Sequence, residues 1–228
     1  MSFIVIEGLD GSGKSTQVKM LRNYLEENKI SNKYVHFPIV ESPYFGDLVA
    51  RFLRGDFGGV NEVNPYLVAL IFAGNRYNAK QMIENWLESD FLVLSDRYVH
   101  SNIGFQCAKL KDKEEIKELY NWILGLEYDY FKIPKPDLSI FLDVPIGFVK
   151  QKLSENRDYD DRDYLQGKAD IHEADIEFQK KVRNTYLYAV ESDKSFAKID
   201  CFDEAGSMLP PDDIFSKIIS LLREKNIL

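Results

Sequence analysis

The sequence predicts an α/β fold in three layers: a five-stranded parallel sheet with helices on both faces. Three observations predict it. Short, nearly continuous apolar runs recur along the chain, as in strands buried on both faces. Stretches with the 3.6-residue period of amphipathic helices separate them. The first apolar run feeds a glycine-rich loop that opens directly into the first helix.

The candidate strands are Phe3–Glu7, Tyr34–Phe37, Phe91–Ser95, Leu138–Asp143 and Phe196–Asp200. The first helix follows the loop, with Val18, Leu21 and Leu25 on one face. Another opens at Asn64-Pro65, a good N-cap followed by proline at the first helical position. A third opens at Asp112 with Glu115 three residues on, the pattern of a capping box. Its apolar residues Ile116, Leu119, Ile123 and Leu124 suit either a core face or a partner surface. The last helix runs from about Asp213 to Lys225, after Pro210-Pro211. A stretch at about 154–168 is dense in charge and poor in large aliphatics, as expected of a mobile surface lid. Repeats, low-complexity tracts and a clear linker are missing, so residues 1–228 read as a single domain.

Composition narrows the class. Hydrophobic residues make up 45% and charged residues 29%, an ordinary globular balance. A formal net charge of −8 argues against a nucleic-acid polymer as partner. Cys107 and Cys201 form no C-x-x-C pair, which points to a reducing compartment without a metal or disulfide framework. No apolar run approaches the length of a membrane span, about 18 residues, and no charged leader precedes the first strand. The expectation is a cytoplasmic protein with no membrane partner.

The loop carries the most chemistry. Gly8-Leu9-Asp10-Gly11-Ser12-Gly13-Lys14-Ser15, with Thr16 after it, matches the phosphate-binding pattern G-x-x-x-x-G-K-[ST] without a mismatch. Its glycines let successive N–H groups turn inward onto phosphate oxygens, and the positive end of the next helix adds to that field. Lys14 is expected at the β- and γ-phosphates, and the Ser15 hydroxyl on Mg²⁺. The chain is therefore expected to bind a nucleoside triphosphate, in a P-loop NTPase fold. No [NT]-K-x-D motif follows, which disfavours a Ras-like GTPase, and the length leaves little room for motor or transporter machinery. A small kinase is the economical reading.

Such an enzyme needs cations between two anionic substrates. Asp96-Arg97-Tyr98 follows the third strand, where ligands bind in open α/β sheets. Asp96 there suits Mg²⁺ or its waters, and Arg97 suits a phosphate; a purely structural Asp–Arg pair is the alternative. Phe72 and Arg76 share a helix face at a spacing of four, fit for a flat base bearing a carbonyl. Spacing alone favours the commoner core role for Phe72. Arg157 and Arg162 lie in the lid, free to swing onto the phosphates or simply solvated among Asp158, Asp160, Asp161 and Asp163.

Together these residues resemble the thymidylate kinase family. The resemblance rests on Glu7–Thr16, Phe37-Pro38, Phe72-Ala73-Gly74-Asn75-Arg76, Asp96-Arg97-Tyr98 with Ser101, Phe105 and Gln106, and Pro136-Asp137-Leu138 through Leu142-Asp143. It covers most of the chain, and the stretch after the third strand is its most specific part. It implies transfer of a phosphoryl group from Mg-ATP to dTMP, a step towards dTTP, by a homodimer. It also implies that Phe72 stacks on thymine, that Arg76 bonds O4, that Arg97 holds the dTMP phosphate and that Asp10 meets the 3′-hydroxyl. Phe105 would exclude a ribose hydroxyl, while Ser101, Asn102 and Gln106 line the pocket with Phe37 and Tyr98. Gly11 after Asp10 resembles the members whose catalytic arginine sits in the lid, which promotes Arg157 and Arg162.

One departure stands out. The family usually carries an arginine just after Phe-Pro, where this chain has Ile39 and Val40; the next cations are Arg51 and Arg54. The stretch 109–134 is also longer than a minimal member needs. Two other readings remain: a deoxynucleoside kinase using Glu41 as base at a 5′-hydroxyl, and a nucleotide-binding protein without turnover.

Overall fold

The computed structural model describes residues 2–155, 165, 170 and 175–228; the expected lid, with Arg157 and Arg162, lies almost wholly outside them. In chain order the elements are β1 (Phe3–Gly8), α1 (Lys14–Glu27), β2 (Asn32–His36), α2 (Phe45–Leu53), α3 (Pro65–Glu88), β3 (Leu92–Asp96) and α4 (Val99–Cys107). Then come α5 (Lys113–Leu124), a π-helical turn (Gly125–Tyr130), β4 (Leu138–Asp143), α6 (Ile146–Ser154), α7 (Ile176–Ser192), β5 (Phe196–Asp200) and α8 (Pro211–Glu224).

All five strands are parallel, in the order β2-β3-β1-β4-β5. This order dictates the layers. Right-handed crossovers put connections that run in opposite directions across the sheet on opposite faces. The step β1→β2 runs one way and carries α1. The steps β2→β3, β3→β4 and β4→β5 run the other way and carry α3, α4 and α7. Accordingly α4 packs against both α3 and α7, while α1 packs against α8. Every residue of β1, β3 and β4 is buried, as their apolar runs predict. The edge strands β2 and β5 are only partly buried. That is why β2 begins at the polar Asn32 and Lys33, two residues before its apolar run, pairing with Leu92 and Val93.

Local signals set the helix starts. The Asn64 side chain accepts from Tyr66 N with Pro65 at the first position, and Asp112 accepts from Glu114 N and Glu115 N. Leu119 and Ile123 are buried, and Ile116 and Leu124 pack against the same core, so the α5 stripe is core. At Gly74 a β-carbon would stand 2.2 Å from the Phe45 ring. Only glycine lets α2 seat its first residue on α3.

Candidate active site

The loop between β1 and α1 and the turn after β3 leave neighbouring strands at their carboxyl ends, since β1 pairs with β3 and Ile6 stands opposite Asp96. Gly13 caps α1 in the left-handed conformation (φ 83°), which turns the loop into the helix. Buried Lys14 donates from Nζ to Leu9 O at 2.8 Å and Gly8 O at 3.2 Å. Burial first, and then the charge of Arg97, lower its pKa from 10.5 to about 8. Ser12 is buried and its hydroxyl has no partner among the described residues; Ser15 and Thr16 are exposed at the start of α1.

Arg97 has a left-handed backbone (φ 66°), a strained conformation of the kind that clusters at functional sites. Its Nη2 donates to Asp10 Oδ1 at 2.5 Å, and its Nη1 to Gly8 O at 3.1 Å and Ser101 Oγ at 3.2 Å. The guanidinium lies 5.3 Å from the Phe105 ring centroid. Burial works against its charge, but Asp10, Asp96 and Glu7 more than offset that. Asp10 Oδ2 accepts from Gln179 Nε2 at 3.0 Å, which ties the loop to α7. Asp96 is buried beside His36 Nδ1 at 3.4 Å. Burial alone would raise its pKa, but His36, Lys14 and Arg97 together hold it below the ordinary value. Asp96 Oδ1 has no hydrogen-bond partner among the described residues.

Glu7 is the organiser that sequence reading left without a role. Fully buried, it accepts from Tyr98 N (2.8 Å), Ser101 N (3.1 Å), Ser101 Oγ (2.5 Å) and Tyr186 Oη (2.9 Å). It fixes the turn that presents Arg97 and the start of α4. An acidic residue ending an otherwise apolar strand was the available signal.

The second cluster surrounds α3. Phe72 meets Phe52 edge-on at 6.1 Å. Asn75 holds Ile39 from both sides, accepting from its N–H (2.9 Å) and donating to its carbonyl (2.7 Å). Arg76, 2% exposed, forks onto fully buried Glu127. Asn102 donates to Glu127 at 3.0 Å, and Gln106 is buried one turn further along α4. Sequence reading missed Glu127 entirely, because nothing in a linear pattern pairs residues 51 positions apart.

Other expected site residues stand elsewhere. Tyr98 and Phe37 pack together at 5.6 Å, both buried, and Tyr98 Oη donates to Pro134 O. Ser101 is taken up by Glu7 and Arg97. Arg51 lies over Phe57 and 3.8 Å from Asp47, and Arg54 pairs with Asp56 at 2.9 Å, so both are engaged beside α2. Glu41 is exposed. Arg157 and Arg162 lie outside the described residues. No helix among the described residues is long and apolar enough to cross a membrane.

The chain matches the family model for thymidylate kinase over residues 6–205. It is 30% identical over 228 residues to a probable thymidylate kinase of Thermococcus gammatolerans, spanning 98% of this chain and 96% of that one. It is 29% identical over 191 residues to the thymidylate kinase of Plasmodium falciparum, spanning 84% and 78%. Among solved structures, a thymidylate kinase from Candida albicans shares the fold with a TM-score of 0.72 at 23% identity, over 99% of this chain and 92% of that one.

Proposed function

The chain belongs to the thymidylate kinase family, and from that premise we propose how its own residues carry a phosphoryl group from ATP to dTMP. It is an enzyme, and the nucleoside-kinase and non-catalytic readings are not favoured by its relatives. One observation carries the assignment of roles. The Asp10–Arg97 pair at 2.5 Å joins the phosphate loop to the turn after β3, beside buried Lys14.

In this reading the loop Gly8–Thr16 holds the ATP phosphates, with Lys14 on the β- and γ-oxygens. Arg97 holds the dTMP phosphate, and Asp10, its partner, meets the 3′-hydroxyl. The attacking oxygen belongs to a phosphate monoester, already ionised at pH 7, so no general base is needed. The work is alignment and charge neutralisation by Lys14, Arg97 and a lid arginine, Arg157 or Arg162. Phe72 and Arg76 read the base, with Asn102 and Gln106 beside them. Phe105, against Arg97, fills the space a 2′-hydroxyl would need.

A divalent ion, Mg²⁺, belongs to this chemistry. The exposed Ser15 hydroxyl and the ionised Asp96 carboxylate, whose Oδ1 has no hydrogen-bond partner among the described residues, fit it as oxygen ligands or water anchors. When bound it neutralises charge on the β- and γ-phosphates. A homodimer is supported by an apolar face. Leu67, Leu70 and Tyr77 are exposed on α3, with exposed Trp122 against Tyr66 of the same helix and Phe131 against Tyr77. Two buried free cysteines fit a cytoplasmic setting.

The test is an ADP-release assay with Mg-ATP against dTMP, dUMP, dCMP, dAMP, dGMP, UMP and thymidine. Turnover strongest on dTMP and weak on UMP is expected. Turnover on thymidine instead would shift attention to Glu41. Silence on the whole panel with ATP bound would remove the enzymatic reading.

A further inference from the structure

Arg76 on α3 and Asn102 on α4 both bond a residue that neither helix carries. Glu127 sits on the π-helical turn Gly125–Tyr130, fully buried. Its Oε2 accepts from Arg76 Nε at 2.5 Å. Its Oε1 accepts from Arg76 Nη2 at 2.6 Å and from Asn102 Nδ2 at 3.0 Å. A buried ion pair is weak support for stability, because desolvation offsets much of its attraction. Single π-helical turns inside helices are frequent at functional sites. Both points lead to asking what the pair arranges.

The donor inventory answers. A guanidinium has five N–H groups and accepts nothing. Glu127 takes Nε–H and one on Nη2, so every remaining group on Arg76 is a donor with its direction set by the fork. The Asn102 amide nitrogen has two hydrogens. One goes to Ala69 O at 3.0 Å and the other to Glu127 Oε1. Both partners only accept, so the amide cannot turn over without setting oxygen against two oxygens. Asn102 Oδ1 is thereby held on the opposite side as an acceptor, buried and without a partner among the described residues.

A fixed donor beside a fixed acceptor matches the 4-oxo, N3–H edge of thymine or uracil. The 4-amino, bare-N3 edge of cytosine presents the reverse pattern, placing donor against donor and acceptor against acceptor. Arg76 and Asn102 are each 2% exposed, so water does little to relieve such a mismatch.

We propose that Glu127 is a positioning residue that sets acceptor-base selectivity, by orienting Arg76 as donor and Asn102 as acceptor for a 4-oxo pyrimidine. This rests on the reading of Arg76 and Asn102 as base-binding residues.

The experiment compares kcat and KM for dTMP and dCMP in the wild type, R76A, E127Q and E127D, with ATP binding and thermal unfolding recorded for each. E127Q keeps the side chain's volume but turns one acceptor into a donor, which sets an N–H against an N–H of Arg76 in either orientation and in one of them leaves only Ala69 O to hold the Asn102 amide. Expected are a rise of about tenfold in KM for dTMP and a fall of at least about tenfold in the dTMP-to-dCMP ratio of kcat/KM. The kcat on dTMP and the KM for ATP stay within about threefold. E127D keeps the charge but cannot reach both partners, and the same ratio falls by at least about threefold. If R76A leaves the ratio unchanged, the base-binding reading fails and the proposal with it. If R76A collapses the ratio while E127Q and E127D preserve it, base reading stands and Glu127 is only structural. If neither Glu127 variant folds, its role is structural and the proposal falls.

Discussion

The phosphate loop takes its groups from one unbroken stretch, Gly8–Ser15, whereas the cluster around Arg76 draws on α3, α4 and the π-helical turn, at separations of 25 and 51 residues. In the proposed reading the loop works through main-chain N–H groups, a helix terminus and one lysine, so its requirements fall on few residue types. The Arg76 cluster is built from side chains, each held by another. Sequence-adjacent groups need only the right local conformation. Dispersed groups need the whole tertiary arrangement, and a buried polar group left without its partner there costs about 1–3 kcal/mol.

The largest effect should come from the loop. Lys14→Ala removes the only loop side chain offering charge to the phosphates, and kcat should fall by about a thousandfold or more. The fold should survive, checked by thermal unfolding; near-normal turnover would remove Lys14 from the phosphate role. Arg76→Ala should lower kcat/KM for dTMP by about a hundredfold with KM for ATP within about twofold. Equal losses for both substrates would erase the contrast between the two regions. Gly74→Ala forces a methyl group into the Phe45 ring and should cost about 1–3 kcal/mol in urea unfolding. An unchanged midpoint would mean that α2 shifts freely on α3.

The smallest effect is a pH dependence. Lys14 has a pKa of about 8 in the folded chain against 10.5 as its ordinary value, from burial first and Arg97 second. Above pH 8 the ammonium must be regained before it can meet phosphate, so the ATP dissociation constant should rise by up to about tenfold per pH unit there and stay flat below. The stability contribution has the opposite trend. Between about pH 8 and 10.5 the unfolded chain holds the extra proton, so this group's contribution to stability rises with pH across that window. ATP affinity that is flat to pH 9.5 would show that Lys14 keeps its charge despite burial.

Individual elements show why some of this was legible. β4 and β5 run over the residues their apolar patterns mark, and α3 and α5 begin at the caps Asn64 and Asp112. These signals are local, made of residues that touch their sequence neighbours. β2 starts earlier than its pattern because an edge strand tolerates polar residues, a property of its place in the sheet. Tyr98 and Phe37, from two separate motifs, are 1% and 2% exposed and pack on each other, a contact set by the pairing of β2 with β3.

The sequence by itself determined the α/β class, the strand runs, the capped helix starts and the phosphate loop, since apolar period, capping and backbone curvature are set within a few residues. The tertiary structure alone decided that Arg97 meets Asp10, that Glu7 gathers the turn after β3, and that Glu127 claims Arg76 and Asn102. Those contacts arise where strand order and helix packing bring distant buried polar groups together. Away from water, each such group needs the partner that the fold supplies.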